Sequence, residues 1–553
     1  MTQEPTPAAE TPAPAATPAA PAAPAAPAAP AATSALEAAI APGYAFEGPA
    51  LELGGLMTGP DGLTGSTIRI PLSMLNRHGL VAGATGTGKT KTLQLMAEQL
   101  SAAGVPVFAA DIKGDLSGLA TPGVSNEKLI ARTTSVGQTW TATGFPVEYY
   151  ALGGQGIGIP IRVTISSFGP ILLSRILGLN DTQESSLGLV FHYADKAGLP
   201  LLDLADLRAV VQHLTSDEGK PELKELGGLS AATAGVILRE LITFADQGAE
   251  AFFGEPEFNS ADLLQMAGDE RGLISLVELP NLQERPAVFS TFLMWLLADL
   301  FHDLPEVGDV DKPKLVFFFD EAHLLFRDAS KPFLEQIAQT VRLIRSKGVG
   351  VFFVTQSPTD VPDEVLAQLG SRIQHALRAH TPNDAKALKA TVNTYPNSEY
   401  DDLGEVLTTL GTGEAIVTVM GERGAPTPVA WTRLRAPESL MAPSTTESME
   451  ATVKASPRFA TYSTVVDRES ARELLAKRLE EGARAEAEAQ EKVVEKADKE
   501  RSAPRSSGSG VRRKADDGGL VSDVVKSSAF KQFMRTAAAE IARGLFGTAR
   551  RRR

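Results

Sequence analysis

The sequence lacks several residue types and segments that would point to other classes of protein. Its 553 residues include no cysteine and only seven histidines, and no HExxH motif occurs. Disulfides and Cys-ligated metals are therefore excluded, and we expect no zinc site. No Lys or Arg precedes Arg69, so we expect neither a secretory signal nor a transit peptide. The longest apolar run near a helix, residues 288–301, contains Asp299 and is too short to span a bilayer. These absences predict a soluble, cytoplasmic protein.

Acidic residues outnumber basic ones, and the net charge is −14. This balance argues against nonspecific nucleic-acid binding by the whole surface. The charge is unevenly distributed, because residues 501–553 contain thirteen Lys/Arg against four Asp/Glu, a net +9, which leaves −23 on residues 1–500. Any contact with DNA must therefore be local, in a channel or in the tail.

A glycine-rich loop between a predicted strand and a predicted helix is the firmest functional signal. Residues 80–82 form a short apolar run, and apolar residues recur at helical spacing from Thr92. The loop between them matches G-x-x-x-x-G-K-[ST] in full, with Gly83, Ala84, Thr85, Gly86, Thr87, Gly88, Lys89 and Thr90. Backbone N–H groups of such a loop surround a polyphosphate, the lysine reaches the β and γ phosphates, and the threonine hydroxyl ligates Mg²⁺. The sequence therefore predicts a site for a nucleotide and Mg²⁺.

Two further buried-strand patterns end in acidic residues. Residues 105–110 lead into Asp111, and residues 315–319 lead into Asp320 and Glu321. Parallel strands deliver their C-terminal residues to the sheet edge that holds the phosphate-binding loop. We expect Asp320 to hold Mg²⁺ and Glu321 to polarise the attacking water. The plainer alternative is that the pair caps the helix that follows.

The chain on either side of this acidic pair is also informative. Residues 334–346 predict an amphipathic helix that Gly348 stops, and residues 349–355 predict a strand closing on Gln356. Gln356 either senses the γ phosphate and orients water or simply forms a hydrogen bond at a strand end. The stretch from about 120 to 310 is mainly helical in pattern, with strands at 159–165 and 273–279 and helices at 181–197, 204–214, 230–247 and 284–301.

Six segments together form a specific set of motifs. They are GATGTGKT at 83–90, DIKGD at 111–115, FFFDEAHLLF at 317–326, RLIRSKGVGVFFVTQSP at 342–358, LGSRIQHALRAHTPND at 369–384 and LGTGEAIV at 410–417. The set resembles the HerA-like branch of the HerA/FtsK superfamily of P-loop ATPases, and in particular bacterial proteins with a helicase HerA-like C-terminal domain. The resemblance covers roughly residues 60–470. It implies a RecA-like α/β core, a hexameric ring and ATP-driven translocation of DNA.

The resemblance also implies roles for single residues. Lys89 and Thr90 are similar to the family's phosphate and magnesium residues, and Asp111 to its acidic residue after the second strand. Asp320 and Glu321 are similar to its second nucleotide motif.

Two more positions match the family. Gln356 is similar to its sensor, and Arg345 to the arginine finger offered to a neighbouring subunit. The alternative for Arg345 is a cation that complements the dipole of its own helix. The resemblance fails at the N-terminus, because archaeal HerA proteins begin with a β-barrel that helps to dock a nuclease, and only residues 43–78 stand in its place here. A nuclease partner is therefore not carried over.

We expect an α/β fold, with a RecA-like P-loop NTPase core, a largely helical insertion, a disordered Ala/Pro N-terminal arm and a helical C-terminal tail. The predicted divisions are the arm at 1–42, a short β prelude at 43–78, a HerA-like P-loop ATPase domain at 79–436 with its insertion at about 120–310, a linker and charged helix at 437–500, and a basic linker with an amphipathic helix at 501–553. The apolar stripe between residues 521 and 546 needs a partner, which is the core, another subunit, a second protein or an anionic membrane surface.

Three functions stay open at this point. The first is a ring-shaped ATPase that translocates or unwinds DNA. The second is an ATPase that moves or remodels a protein or secretion substrate, which an absence of DNA-stimulated turnover would favour. The third is a nucleotide-gated scaffold with slow hydrolysis, which an intact Glu321 disfavours.

Overall fold

The computed structural model describes residues 34–225, 227–279, 286–308, 310–326, 331–396, 398–421 and 423–502. Most of the predicted Ala/Pro arm and the whole predicted apolar stripe at 521–546 lie outside these residues. The strands within them are β1 (Ala50–Met57), β2 (Leu63–Pro71), β3 (Gly79–Ala82), β4 (Val107–Asp111), β5 (Val147–Leu152), β6 (Ile159–Ile161), β7 (Ile274–Glu278), β8 (Leu315–Phe319), β9 (Val349–Thr355), β10 (Ser371–Gln374), β11 (Glu414–Thr418) and β12 (Ala430–Leu434).

These strands form one sheet, in the order β2-β1-β12-β11-β10-β3-β9-β8-β4-β7-β5-β6. All neighbours from β10 to β6 run parallel. The strands of this part are apolar and buried along nearly their whole length, which is the pattern of a sheet covered on both faces. Within it, β10-β3-β9-β8-β4 is the strand order 5-1-4-3-2 of a RecA-like core. The predicted fold class is confirmed.

Helices connect and cover these strands. They are α1 (Ala35–Ile40), α2 (Lys89–Ala102), α3 (Glu127–Ser135), α4 (Ile165–Phe168), α5 (Pro170–Ile176), α6 (Asp181–Lys196), α7 (Leu204–Thr215), α8 (Lys220–Glu225), α9 (Ala231–Asp246), α10 (Pro286–Asp303), α11 (His323–Phe326), α12 (Lys331–Ile344), α13 (Asp363–Leu366), α14 (Pro382–Val392), α15 (Leu403–Thr409), α16 (Thr446–Ala455), α17 (Pro457–Tyr462) and α18 (Ala471–Ser502). Within the described residues, none of them combines the length and the apolar character that crossing a membrane requires.

The long stretch between β4 and β8 contains most of the predicted helices. Asn180 caps α6 by accepting from the N–H of Gln183, at 3.1 Å, and Ser230 caps α9 by accepting from the N–H of Thr233, at 3.0 Å. The same stretch also contributes β5, β6 and β7, which extend the parallel sheet beyond β4. Strand β5 was not predicted. Its buried Glu148 interrupts the apolar pattern, and that carboxylate is paired with Arg458, far along the chain, at 2.8 Å.

The residues before the P-loop strand form a hairpin. Strands β1 and β2 pair with each other antiparallel, and β1 joins the main sheet through β12. Gly54 lies in β1 opposite Leu434, where a Cβ would collide with the carbonyl group of Arg433. The β prelude is therefore part of the ATPase sheet.

The chain after residue 436 differs from the expected linker. The described residues up to 479 form one compact unit, and those from 480 belong to a second. In the first unit, Met449, Val453 and Tyr462 are buried in the hydrophobic core, as is Leu475 at the start of α18. Hydrogen bonds to Glu98 on α2 hold the beginning of this segment against the core. The apolar periodicity of the sequence does not reveal such polar contacts. In the second unit, the described side chains of residues 480–496 are exposed, as expected for a solvated charged helix.

Candidate nucleotide-hydrolysis site

The phosphate-binding loop leaves β3 at Gly83 and enters α2 at Lys89. Its three glycines have positive φ values of 152°, 82° and 113° for Gly83, Gly86 and Gly88. A Cβ on Gly83 would lie 2.5 Å from the Cβ of His375, so even alanine does not fit there. Glycine at this position thus reflects both backbone conformation and close packing against the end of β10.

Lys89 points into the loop. Its Nζ donates to the carbonyl oxygens of Gly83, at 2.6 Å, and Ala84, at 3.1 Å. Burial lowers the pKa of Lys89, while the nearby carboxylates Glu321 and Asp320 act in the opposite direction. The loop therefore encloses a cation next to the backbone turn, an arrangement that fits an anionic phosphate chain.

Asp320 and Glu321 follow β8, which is separated from β3 only by β9. Burial raises the pKa of Asp320 to about 6, and the neighbouring Glu321 carboxylate adds to the shift. Oδ1 of Asp320 accepts a hydrogen bond from the Glu321 N–H at 2.9 Å. Glu321 itself has a positive φ of 48°, which is uncommon for a residue other than glycine and marks a constrained turn.

The Glu321 carboxylate lies among basic side chains. Lys113 Nζ donates to its Oε1, and Nδ1 of His323 lies 3.2 Å from Oε2, an ion-pair distance without hydrogen-bond geometry. Burial alone would raise the pKa of Glu321, but the hydrogen-bonded Lys113, with help from His323 and Lys89, holds it below its ordinary value. Glu321 is therefore kept ionised near neutral pH, as a base that orients water must be.

The side chains at this edge also fit a magnesium ion. Asp320 supplies a buried carboxylate oxygen, the ligand type that Mg²⁺ prefers, and Thr90 lies in the first turn of α2, directly after Lys89. These two residues would hold the ion together with nucleotide phosphates. When bound, Mg²⁺ supplies positive charge against the phosphate oxygens.

Gln356 directly follows β9 and lines a cavity of about 850 Å³. The loop residues Ala84 and Thr85 form one wall of this cavity, and Arg378 and Asp384 lie on another. The Arg378 guanidinium donates to the Thr85 carbonyl oxygen at 3.3 Å. Gln356 is thus placed beside the loop, in a space open to water and ligand.

Asp111 lies at the same sheet edge, but its carboxylate is engaged with its own loop. It accepts hydrogen bonds from the N–H groups of Lys113, Asp115 and Leu116, at 3.3, 3.2 and 2.8 Å. Burial raises the pKa of Asp111 in spite of these bonds. The Asp111 carboxylate therefore stabilises the conformation of residues 111–116.

Arg345 is not brought to the loop of its own chain. It lies before β9, at the opposite end of that strand from Thr355 and Gln356. Seven residues of strand span roughly 23 Å at about 3.3 Å per residue. Arg345 lies instead near His78, whose pKa is lowered to about 4 by burial and, to a smaller extent, by this arginine.

Sequence reasoning missed three contributors to the site. Lys113 lies inside the DIKGD segment, and its ammonium binds the Glu321 carboxylate. His375 lies beneath the loop, with its Nε2 2.9 Å from Thr92 Oγ1, and burial lowers its pKa to about 3. Glu278 ends β7 opposite Asp111, and burial followed by the Asp111 charge raises its pKa to about 7. The order of the strands along the chain does not reveal these pairings.

Comparisons with known proteins find distant relatives of this chain. The "DNA double-strand break repair helicase HerA" of Sulfolobus acidocaldarius is 22% identical over 355 residues, which cover 63% of this chain and 64% of that protein. The protein of the same description from Saccharolobus solfataricus is 21% identical over 362 residues, covering 63% of each. The chain thus spans less than two thirds of the length of these curated relatives.

Two solved structures show a partial likeness. The plasmid coupling protein TrwB in complex with ADP and Mg²⁺ gives a TM-score of 0.46 at 15% identity, covering 68% of this chain and 90% of TrwB. VirB4 of Thermoanaerobacter pseudethanolicus gives a TM-score of 0.45 at 15% identity, covering 71% and 98%.

The family comparison covers most of the chain. The model described as "Helicase HerA-like C-terminal" matches residues 58–553, a span that includes the phosphate-binding loop, the acidic pair and the strands between them. The chain therefore belongs to the helicase HerA-like C-terminal family.

Proposed function

We propose that this protein is an ATP-hydrolysing motor that assembles into a ring, expected to be hexameric, and translocates or unwinds DNA. One observation carries the proposal: a phosphate-binding loop with an inward-pointing Lys89 lies at the same sheet edge as a buried Asp320 and an ionised Glu321. A scaffold that binds nucleotide without hydrolysing it does not require an ionised carboxylate beside the phosphates.

Each residue has a defined part in hydrolysis. The backbone of residues 83–88 and Lys89 bind the phosphates, and Thr90 with Asp320 hold Mg²⁺. Glu321 accepts a hydrogen bond from the attacking water and orients it towards the γ phosphate. Gln356, at the end of the intervening strand, detects whether that phosphate is present.

DNA as the substrate is supported by the family and by the names of its members. Relatives at 21 to 22% identity are described as DNA double-strand break repair helicases. The net charge of −14 requires the contact with DNA to be local, as in a central channel.

The test is ATP turnover of the purified protein with duplex DNA, with single-stranded DNA and without DNA, on a preparation whose assembly mass is measured. We expect a multimer whose turnover rises with DNA and falls again as salt is added, because the DNA contact is electrostatic. Turnover that DNA leaves unchanged would overturn the DNA assignment and favour a protein substrate.

The ring is supported by the position of Arg345. This residue lies before β9, at the end of that strand opposite to the phosphate-binding loop. It can therefore serve as an arginine finger only for the site of a neighbouring subunit. A guanidinium supplied in this way stabilises the transferring phosphoryl group and is worth about 10³- to 10⁵-fold in rate.

Subunit mixing tests this arrangement. Arg345→Ala and Lys89→Ala should each be inactive alone, and mixing the two chains should restore part of the turnover, because some interfaces then hold one intact site. Arg342→Ala is the matched control, since Arg342 is exposed and lies three residues earlier, in the last turn of α12. An Arg345→Ala ring with normal turnover, or a fully active wild-type monomer, would refute the finger.

A further inference from the structure

The loop after β4, next to Asp320 and Glu321, is held by hydrogen bonds to Asp111. The Asp111 carboxylate, in a residue only 2% exposed, accepts hydrogen bonds from three backbone N–H groups between Lys113 and Leu116. Because β4 is the direct neighbour of β8, this loop lies beside Glu321. The backbone of Lys113 is therefore held at a fixed place relative to the proposed base.

From this position, Lys113 binds one carboxylate oxygen of Glu321. Its ammonium donates to Oε1, and the two side chains differ in environment, with exposures of 41% for Lys113 and 7% for Glu321. An exposed ion pair contributes little to stability, but here the acidic partner is buried beside a second carboxylate, Asp320. The contact therefore acts mainly on the orientation of Glu321.

The rest of Glu321 is already fixed. Its N–H donates to Asp320 Oδ1 at 2.9 Å, its carbonyl oxygen accepts from the Leu324 N–H at 2.9 Å, and its φ is 48°. Only the side-chain torsions remain to be set. With Oε1 bound by Lys113, Oε2 has no hydrogen bond to any of the described residues, and the nearest basic group, His323 Nδ1, lies 3.2 Å away without hydrogen-bond geometry.

We propose that Lys113 is a positioning residue for ATP hydrolysis: by binding Oε1 it turns the Glu321 carboxylate so that Oε2 accepts from the attacking water. This inference rests on the proposed function, since it requires Glu321 to act as the base. Lys113 acts through Glu321, whereas Lys89 acts on the phosphates.

The two roles predict different kinetics. A residue that only orients the base affects kcat and leaves nucleotide binding intact, whereas a phosphate ligand affects KM and nucleotide Kd as well. A residue that acts through Glu321 also loses its effect once Glu321 is replaced.

The experiment compares Lys113→Met, Lys113→Arg and Lys128→Met with the wild type. Lys128 is an exposed lysine on α3 and serves as the matched control. We measure kcat and KM for ATP, the Kd of a fluorescent ATP analogue, and Tm as a check on folding. For Lys113→Met we expect kcat to fall by at least about tenfold, with KM and Kd within about twofold. Lys113→Arg should recover most of the rate, because it keeps a cation at Oε1, and Lys128→Met should match the wild type.

A double variant completes the test. Added to Glu321→Gln, Lys113→Met should change the residual rate by less than about twofold. Wild-type kcat in Lys113→Met, a parallel rise in KM and Kd, or an undiminished effect in the Glu321→Gln background would each overturn the positioning role. Failure of the proposed function is a different result, because the wild type itself would then show no turnover.

Discussion

Polar residues beside the phosphate-binding loop and two buried polar residues in the antiparallel part of the sheet are used in different ways. Beside the loop, polar groups lie where parallel strands end: among the described residues, Glu321 Oε2 lacks a hydrogen bond, and Gln356 lines a cavity. In the antiparallel part, two buried polar side chains have their partners inside the protein. The Tyr44 hydroxyl lies 2.8 and 2.6 Å from the carbonyl oxygens of Val417 and Pro428, and it accepts from Thr427 at 2.9 Å.

A second group in the antiparallel part shows the same difference. The buried Glu414 carboxylate contacts the Arg433 guanidinium, the Trp431 indole N–H and the Gly411 N–H, at 3.1, 3.1 and 3.0 Å. Groups that are fully paired inside the protein stabilise the fold, while groups left with capacity for water and ligand perform chemistry. The comparison therefore predicts which substitutions affect turnover and which affect stability.

The largest contrast is expected between Glu321→Gln and Tyr44→Phe. Glu321→Gln should lower kcat by about 10²- to 10⁴-fold while nucleotide binding persists, because a carboxamide is not a base. Tyr44→Phe should lower the free energy of unfolding by about 1 to 3 kcal/mol, because it leaves buried partners unpaired, and should keep turnover per folded molecule. Turnover assays and denaturant titrations check both. Wild-type turnover in Glu321→Gln would remove the assignment of the base.

Two glycines provide a sharper version of the same contrast. Gly83→Ala should abolish measurable nucleotide binding, because its Cβ meets His375 and the loop must move. Gly54→Ala, which would collide with the Arg433 carbonyl, should instead cost about 1 to 3 kcal/mol of stability and leave nucleotide Kd unchanged in the folded fraction. Equal losses of nucleotide affinity in the two variants would contradict the division between the parts.

An effect that changes only with pH is expected where α2 meets the chain after β12. Glu98 on α2 accepts from the N–H groups of Glu438 and Ser439, at 2.8 and 3.0 Å, and burial raises its pKa from 4.5 to about 7. Between those two pH values the folded carboxyl binds more protons than the unfolded one. The free energy of unfolding therefore falls as pH rises through this window.

Glu98→Gln should reduce that loss between pH 5 and 8 by on the order of 1 to 3 kcal/mol, as measured by denaturant unfolding at each pH. Glu450→Gln, at an exposed position paired with Lys454, is the control and should keep the wild-type slope. An unchanged slope in Glu98→Gln would show that Glu98 is already ionised across this range.

Local pattern predicted much of the fold. Residues 349–355 were predicted as a strand and form β9 without a shift in either boundary, because a run dominated by valine and phenylalanine lies between a helix-stopping glycine and Gln356. The loop at 83–90 was located in full, since its spacing is itself the signal. Strand β5 and the packing of residues 437–479 were missed, because their polar residues find partners hundreds of positions away, such as Glu148 with Arg458.

The sequence alone determined the family, the strand-loop-helix around Lys89 and the residue types at each strand end, because these depend on short-range spacing and apolar periodicity. Tertiary structure alone decided which strand ends meet. The order β10-β3-β9-β8-β4 brings Lys113 to Glu321 and His375 beneath Gly83, and it leaves Arg345 at the end of β9 opposite to the phosphate-binding loop. Strand order follows from the burial of both faces of the whole sheet, a property that no single segment of the chain contains.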